Sequence, residues 1–339
     1  MVNMIYPSRF ILAPMAGISD LAFRMINRGY GCGFAFTEMI HARSLCYESR
    51  KTYDMLRSQE SDQPLGVQLL GNEEAYLVRA LDKLPARGIH SIDLNAGCPQ
   101  PKVVKKGEGA GLLKDPALLQ RLLSALVRHA SCPVTLKMRL GWSDSREGLD
   151  IARRAEDAGV QAICVHARTQ QQMFSGAVNH AALAAIKKNV RIPVFASGDI
   201  FNGLLAKQML EQTGCDGVFI ARGSLGNPWI FREINDYLRH GTVPPEPSSA
   251  QVAQVMRHHL QLCREIYEED AAVVIFRKFF IWYTRGFAEV KILRQRANDA
   301  KTCAAVETLI EAFDEQGARA RICPHSRAAG TMPLPDVPK

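Results

Sequence analysis

Eight short apolar runs of strand type, most of them followed by a helix-period pattern, restrict the folds open to this chain more than any other feature. The runs fall at 10–13, 34–37, 66–69, 91–95, 134–138, 162–166, 194–197 and 217–221. Between them, 72–86, 115–128, 145–157, 179–188 and 202–211 carry apolar residues at helical spacing. Several of these open on Asn, Asp or Ser, whose side chains accept from the free N–H groups of a first helical turn. Eight such units within about 240 residues predict a (β/α)8 TIM barrel rather than an open doubly wound sheet. One gap is long. Residues 38–64 are basic and Tyr-containing (Arg43, Tyr47, Arg50, Lys51, Tyr53) and are expected to form an extended loop over the barrel mouth.

Barrel chemistry sits at the C-terminal ends of the strands. The fourth run ends in Asn95-Ala96-Gly97-Cys98-Pro99, where a Gly before and a Pro after fix the backbone and aim the thiol. A positively charged loop follows, with Lys102, Lys105 and Lys106. An isolated cysteine is most often a buried packing group. Packing alone asks for no set such as Asn95, Cys98 and Lys102, so the reading here is a site. The other runs end in Pro14-Met15-Ala16-Gly17, Glu38, Gln68, Lys137 with Arg139, His166 with Arg168, Ser197-Gly198-Asp199, and Arg222-Gly223. A polar or Gly-rich terminus on every strand points to an active site at that face.

The turns after runs seven and eight occupy the usual phosphate-binding corner of such barrels. Glycine lets backbone N–H groups approach a phosphate, and Arg222 adds a charge-assisted contact. There is neither a Walker-type lysine loop nor a strand-initial GxGxxG. A phosphate anchor there, with Lys137 and Gln68 across the mouth, suits flavin mononucleotide (FMN). Lys137 is then expected near the ring edge where negative charge develops on reduction. A barrel lysine salt-bridged to Glu38 is the alternative, compatible with the first.

The nine cysteines are scattered, without a CxxC pair or metal-ligand spacing, so no metal is expected and reduced thiols in a cytoplasm are. No apolar stretch reaches the roughly 20 residues of a membrane span, and no signal-like segment is seen. Net charge is +8, the sign that suits a partner with a phosphate backbone. Residues 1–240 are assigned to the barrel and 241–249, rich in Pro and Ser, to a linker. From 250 to 320 only helical periodicity is visible (251–268, 271–280, 291–313), predicting a small helical bundle. It holds the densest basic run, Arg277, Lys278, Arg285, Lys291, Arg294, Arg296 and Lys301, with Trp282 and Tyr283 inside it. A solvated face over an aromatic core explains that run as well as a nucleic-acid surface does. The tail, 321–339, is expected to be disordered.

With these motifs in view, the chain resembles the bacterial tRNA-dihydrouridine synthases. The resemblance rests on LAPMAGISD at 12–20, GVQLLG at 66–71, DLNAGCPQPKV at 93–103, VTLKMRLGW at 134–142, HARTQ at 166–170, SGDI at 197–200, ARGSLGNPWIF at 221–231 and FRKFFIWYTRGF at 276–287. It implies FMN held by Pro14, Met15, Ala16, Gln68, Lys137, His166, Ser197, Gly198, Asp199, Ala221 and Arg222. It implies NADPH as reductant, and a uridine of the tRNA D-loop as substrate with Asn95 and Arg139 near the uracil. Lys102, Arg277, Lys278 and Arg285 are then expected to hold RNA, and the chain to act as a monomer. Ser197 departs from the Asn that relatives often carry, so backbone contacts from Gly198 and Asp199 are expected to matter more than its side chain. Adding a hydride at C6 and a proton at C5 of the uracil calls for an acid, and Cys98 is a thiol at neutral pH if its pKa stays near the usual value of about 8.5. Two other readings remain. A flavin barrel acting on free pyrimidines does not need the basic helical segment, and a tRNA-binding chaperone does not need Cys98, Lys137 and Arg139.

Overall fold

The computed structural model describes residues 5–316. Eight parallel strands close in sequence order, each bonded to the next and the last to the first. They are β1 (Phe10–Leu12), β2 (Phe34–His41), β3 (Leu65–Leu70), β4 (Ser91–Ala96), β5 (Val134–Arg139), β6 (Ala162–His166), β7 (Val194–Ser197) and β8 (Gly217–Ile220). The expected (β/α)8 barrel is therefore present, with each strand within a few residues of its predicted place. The helices that follow are α1 (Leu21–Gly29), α2 (Ala42–Cys46), α3 (Arg50–Asp54), α4 (Glu74–Leu81), α5 (Pro101–Val104), α6 (Pro116–His129) and α7 (Glu147–Asp157). Next come α8 (His180–Asn189), α9 (Gly203–Thr213) and α10 (Ile230–His240). The C-terminal helices are α11 (Ser249–Ile266), α12 (Glu269–Tyr283), α13 (Lys291–Asp299) and α14 (Cys303–Glu315). The predicted tail at 321–339 lies outside the described residues.

Side-chain alternation with period two sorts each strand into an outward set that packs on helices and an inward set that fills the barrel. The inward set changes character along the barrel. Its lower layers are aromatic: Tyr6, Phe34, Phe36, Phe195 and Phe219 form one buried cluster, with ring centroids such as Tyr6–Phe34 4.6 Å and Tyr6–Phe195 5.0 Å apart. Gly66 and Gly217 make room for this floor, since a Cβ on Gly66 would fall 2.3 Å from the Phe36 ring and one on Gly217 would fall 2.7 Å from that of Phe195. The upper layers are polar. Register puts Gln68 beside Asp93, Asn95 beside Lys137, and Arg139 beside His166, which in turn neighbours Ser197.

Helix starts follow the predicted caps at three of five places, Asn72 and Ser145 not capping α4 and α7, and α11 has a cap that was not predicted. Asp115, Asn179 and Asn202 accept from the third N–H of α6, α8 and α9, and Ser248 with Gln251 makes a reciprocal capping box on α11. α4 is shorter than 72–86 because Asn72 donates its amide to the Lys106 carbonyl instead of capping. The single helix expected at 291–313 is two helices. The chain breaks after Asp299, and Thr302 caps a new start by accepting from Ala305 N–H. Between 38 and 64, β2 continues to His41 and two short helices follow, so the segment is more regular than an extended loop.

Of the C-terminal helices, α11 and α12 pack against α1. Phe23 of α1 stacks on Phe279 of α12 with ring centroids 5.3 Å apart, and Arg57 donates to the Ile266 carbonyl at 2.6 Å. Beneath that contact lies a fully buried ion pair. Arg24 binds both oxygens of Asp62 through Nε (3.2 and 3.0 Å) and Nη2 (2.7 Å), and its remaining N–H groups reach the Ser19 and Arg57 carbonyls. Removing one partner leaves a buried charge alone, so Asp62→Ala is expected to cost about 3–5 kcal/mol. The urea-unfolding midpoint reads this, and removal of the exposed Lys207–Glu211 pair should leave that midpoint unchanged.

Candidate active site

The turn after β4 is held from three directions. Asn95, the penultimate residue of the strand, turns its side-chain oxygen forward to accept the N–H groups of Gly97 (3.0 Å) and Cys98 (2.9 Å). Arg139 on the neighbouring strand donates Nε to the Gly97 carbonyl at 2.8 Å. The Cys98 carbonyl accepts from Ala110 N–H at 2.9 Å, and Gly109 lies so close that a Cβ there would fall 2.9 Å from that oxygen. Gly109 also has a φ of +57°, so only glycine fits without strain. Pro101 then starts α5 at a position where the missing N–H costs nothing. Cys98 is half-buried. Burial pushes its thiol pKa up, and the opposing pull of the Gln100 N–H, Arg139 and Lys137 does not reverse that. At neutral pH it is a thiol.

Around this turn lies a cationic mouth built on β5, β6 and the loops after β7 and β8. Arg139 is 2 % exposed, yet its hydrogen bonds go to carbonyls only, those of Gly97, Thr169 (2.9 Å) and Met173 (2.6 Å). Burial, with Arg168 and Arg222 nearby, brings its pKa down to about 10. Arg168 and Arg222 both bind Asp199, at 2.5 and 2.7 Å. Asp199 has a φ of +53°, a conformation uncommon outside glycine, fixed here by two guanidinium groups. Burial, then the charges of Arg139, Lys137, Arg168 and Arg222, push the His166 pKa well below its usual value, so the ring is neutral, and its Nδ1 is buried without a partner. The Asp199 N–H has no partner among the described residues. Over the cluster lies Phe174, its ring 5.3 Å from both the Arg139 and the Arg222 guanidinium carbons.

The fourth side of the mouth is the loop after β1, with Pro14, Met15 and Ala16. Ser19 fixes it by donating to the Met15 carbonyl and accepting the Met15 N–H at 2.9 Å. Glu38 does not pair with Lys137. Its carboxylate accepts the Gly17 N–H, and Lys278 of α12 donates to the Gly17 carbonyl, so one glycine is gripped by barrel and bundle together. Burial raises the Glu38 pKa, and the charge of Lys278 counters it. Lys137 has no ion-pair partner among the described residues.

Gln68, Asn95, Cys98, Lys137, Arg139, His166, Ser197–Asp199 and Ala221–Arg222 thus meet at one mouth, and Lys102 stands exposed on α5 beyond Cys98. The bundle's basic run divides. Arg277 donates to the Ala300 carbonyl and Arg294 to Thr284, Lys278 reaches the barrel, and Arg285 is half-buried after α12, whereas Lys291, Arg296 and Lys301 are exposed. Trp282 and Tyr283 are core residues, 3 % and 1 % exposed, with Tyr283 bonded to His259 at 3.0 Å. Sequence reasoning passed over Phe174, which sits in a loop without periodicity, and over Asp93 and Thr135, which read there as strand interior.

The family model described as dihydrouridine synthase matches residues 11–317. The chain is 40% identical over 306 residues to tRNA-dihydrouridine synthase B of Pseudomonas aeruginosa, covering 88% of this chain and 92% of the relative. It is 36% identical over 292 residues to the protein of the same name from Pasteurella multocida, covering 86% and 88%. Among solved structures, 6-hydroxypseudooxynicotine amine oxidase from Pseudomonas geniculata superposes with a TM-score of 0.52 at 14% identity, over 75% of this chain and 50% of that one. Histamine dehydrogenase from a Rhizobium species gives 0.50 at 12%, over 82% and 49%. The chain spans about half the length of those two proteins, and the likeness is one of fold.

The state of the thiol is directly measurable. With Cys132, the other half-buried thiol among the described residues, and Cys323 both replaced by alanine, the rate of Cys98 alkylation by a maleimide should rise with pH to an apparent pKa above the ordinary value of about 8.5. An apparent pKa near neutrality would mean that the cations outweigh burial.

Proposed function

The chain belongs to the dihydrouridine synthase family, and on that premise we propose that it reduces the C5=C6 bond of a tRNA uridine, in the D-loop, to 5,6-dihydrouridine, using FMN and NADPH. The observation that carries this reading is the Cys98 turn, fixed by Asn95 at a mouth whose cations exceed its carboxylates, where burial favours the thiol over the thiolate.

The residues fit FMN. Lys137, Arg139, Arg168 and Arg222 outnumber the carboxylates about them, Asp199 ion-paired and Asp93 and Glu38 held by other donors, so the mouth favours a phosphate dianion. The Asp199 N–H and the orphaned His166 Nδ1 are groups such a ligand satisfies. Gly198, with a φ of +130° and Val178 2.9 Å from any added Cβ, can only be glycine, which fixes the shape of the turn. Phosphate contacts are assigned to Ser197, Gly198, Asp199, Ala221 and Arg222, and ring contacts to Pro14, Met15, Ala16, Gln68, Lys137 and His166. When bound there and reduced by NADPH, FMN supplies the hydride for C6 of the uracil.

Everything else falls to side chains of this chain. Cys98 releases its proton to C5, the S–H bond breaking as the C5–H bond forms, and Lys137 and Arg139 stabilise the resulting thiolate. His166, neutral, serves as a hydrogen-bond partner rather than as an acid. Arg139 shapes the pocket through the three carbonyls it holds, and Asn95 keeps the thiol aimed. A base reaches the mouth only after leaving its stack, which a loop uridine does at low cost. Lys102 on the barrel rim and Lys291, Arg296 and Lys301 on the bundle are exposed cations for tRNA phosphates, while Arg277, Lys278 and Arg285 hold the bundle that presents them.

Separating the half-reactions tests this. Cys98→Ala removes the acid and no flavin contact, so FMN content and bleaching by NADPH should match wild type. Reoxidation by tRNA should slow by roughly 10²–10⁴. Reoxidation at wild-type speed would place the acid elsewhere, and loss of flavin would make the thiol structural.

A further inference from the structure

Below the mouth, a line of buried side chains crosses from β5 to the Cys98 turn. Thr135 donates its hydroxyl to one oxygen of Asp93 at 2.7 Å. Gln68 donates its amide N–H to the other oxygen at 2.7 Å. The Gln68 carbonyl accepts from the Asn95 amide at 2.8 Å, and the Asn95 carbonyl accepts from Gly97 and Cys98. Asp93 and Gln68 are each 1 % exposed, so water does not compete for these bonds.

The direction of every bond in this line is dictated by its ends. An ionised carboxylate only accepts, so Gln68 must turn its NH2 toward Asp93 and its oxygen toward Asn95. Asn95 must then give its NH2 to Gln68 and its oxygen to the turn, which is the orientation two backbone N–H donors require. A flipped Asn95 would set NH2 against N–H at Gly97 and Cys98. We propose that Asp93 is a positioning residue for the thiol, fixing the Gln68 and Asn95 amides and through them the backbone that aims Cys98. This rests on the reduction of uridine argued above and adds the group that sets the acid's geometry. The carboxylate carries its charge at neutral pH. Burial pushes its pKa up to about 6, while the bonds from Gln68 and Thr135 and the charge of Lys137 resist that rise. Such a costly charge is retained in a barrel interior where an apolar residue would pack, which a positioning role explains.

Two variants and two readouts decide the matter in the full-length flavoprotein. Asp93→Ala leaves the Gln68 amide without its acceptor, so reoxidation of the flavin by tRNA should fall by roughly 10²-fold, the usual cost of a misplaced reacting group. FMN content and bleaching by NADPH should fall by much less than tRNA reoxidation does, since Gln68 is only one of several flavin contacts, and maleimide alkylation of Cys98 should change in rate by several-fold. Asp93→Asn can keep its carbonyl on Gln68 and place its NH2 on the Thr135 hydroxyl, so it should restore both readouts to near wild type. Should Asp93→Ala fail to fold, Thr135→Val removes one donor to the same carboxylate and should move both readouts the same way, by about ten-fold or less. The proposal is overturned if these variants leave tRNA reoxidation and Cys98 alkylation unchanged, or if flavin content and NADPH reduction fall in parallel with them. If wild-type flavin is not reoxidised by tRNA at all, the functional reading fails, and the alkylation rates alone still decide whether Asp93 aims the thiol.

Discussion

Parallel register between β3, β4, β5 and β6 is the constraint on which the rest depends. Pairing Gln68 with Asp93, Asp93 with Thr135, Asn95 with Lys137 and Arg139 with His166 gathers seven polar side chains above an aromatic floor. A one-residue slip on any of these strands would turn its polar set out into the helices and bring apolar residues into the mouth. The closed barrel forbids the slip, because each strand is bonded on both sides. Polar groups in such a place are expensive unless each has a partner, and here most do. The exception at the centre, His166 Nδ1, faces the same mouth as the Asp199 N–H.

Electrostatics in the mouth then separates two kinds of group. Cations are numerous, and burial lowers the Arg139 and Arg222 pKa values without discharging their guanidinium groups. Neutral groups are kept neutral. His166 is held uncharged by burial and by its cationic neighbours, and Cys98 is held protonated by burial against the pull of those cations. The result is a site with strong attraction for anions and a single well-placed proton. The joint between barrel and bundle adds to this, since Lys278 grips the Gly17 carbonyl that Glu38 grips from the other side, beside the loop of Pro14, Met15 and Ala16.

Much of the barrel was legible because its signals are local. Apolar strand runs, cap residues and a Gly or polar residue at each strand end are written within a few positions of one another, and all eight strands lie within a few residues of their predicted places. Cys98 was legible for the same reason. What escaped depends on contacts across long stretches of chain. Asn72 reads as a cap but bonds Lys106, 34 residues on. Glu38 reads as a partner for Lys137 but takes Gly17. The basic run of the bundle reads as one surface, yet Arg277, Lys278 and Arg294 also bond within the protein, while Lys291, Arg296 and Lys301 are exposed. Asp93 read as strand filler, because nothing local shows which way a buried amide points.

Nucleotide-resolved mapping of dihydrouridine in tRNA from cells lacking this chain tests the central claim most directly. A D-loop uridine should lose its two added hydrogens in those cells, regain them when the wild-type chain is restored, and remain a uridine when Cys98→Ala is supplied instead. An unchanged modification pattern in the deleted cells, or full restoration by Cys98→Ala, would contradict it.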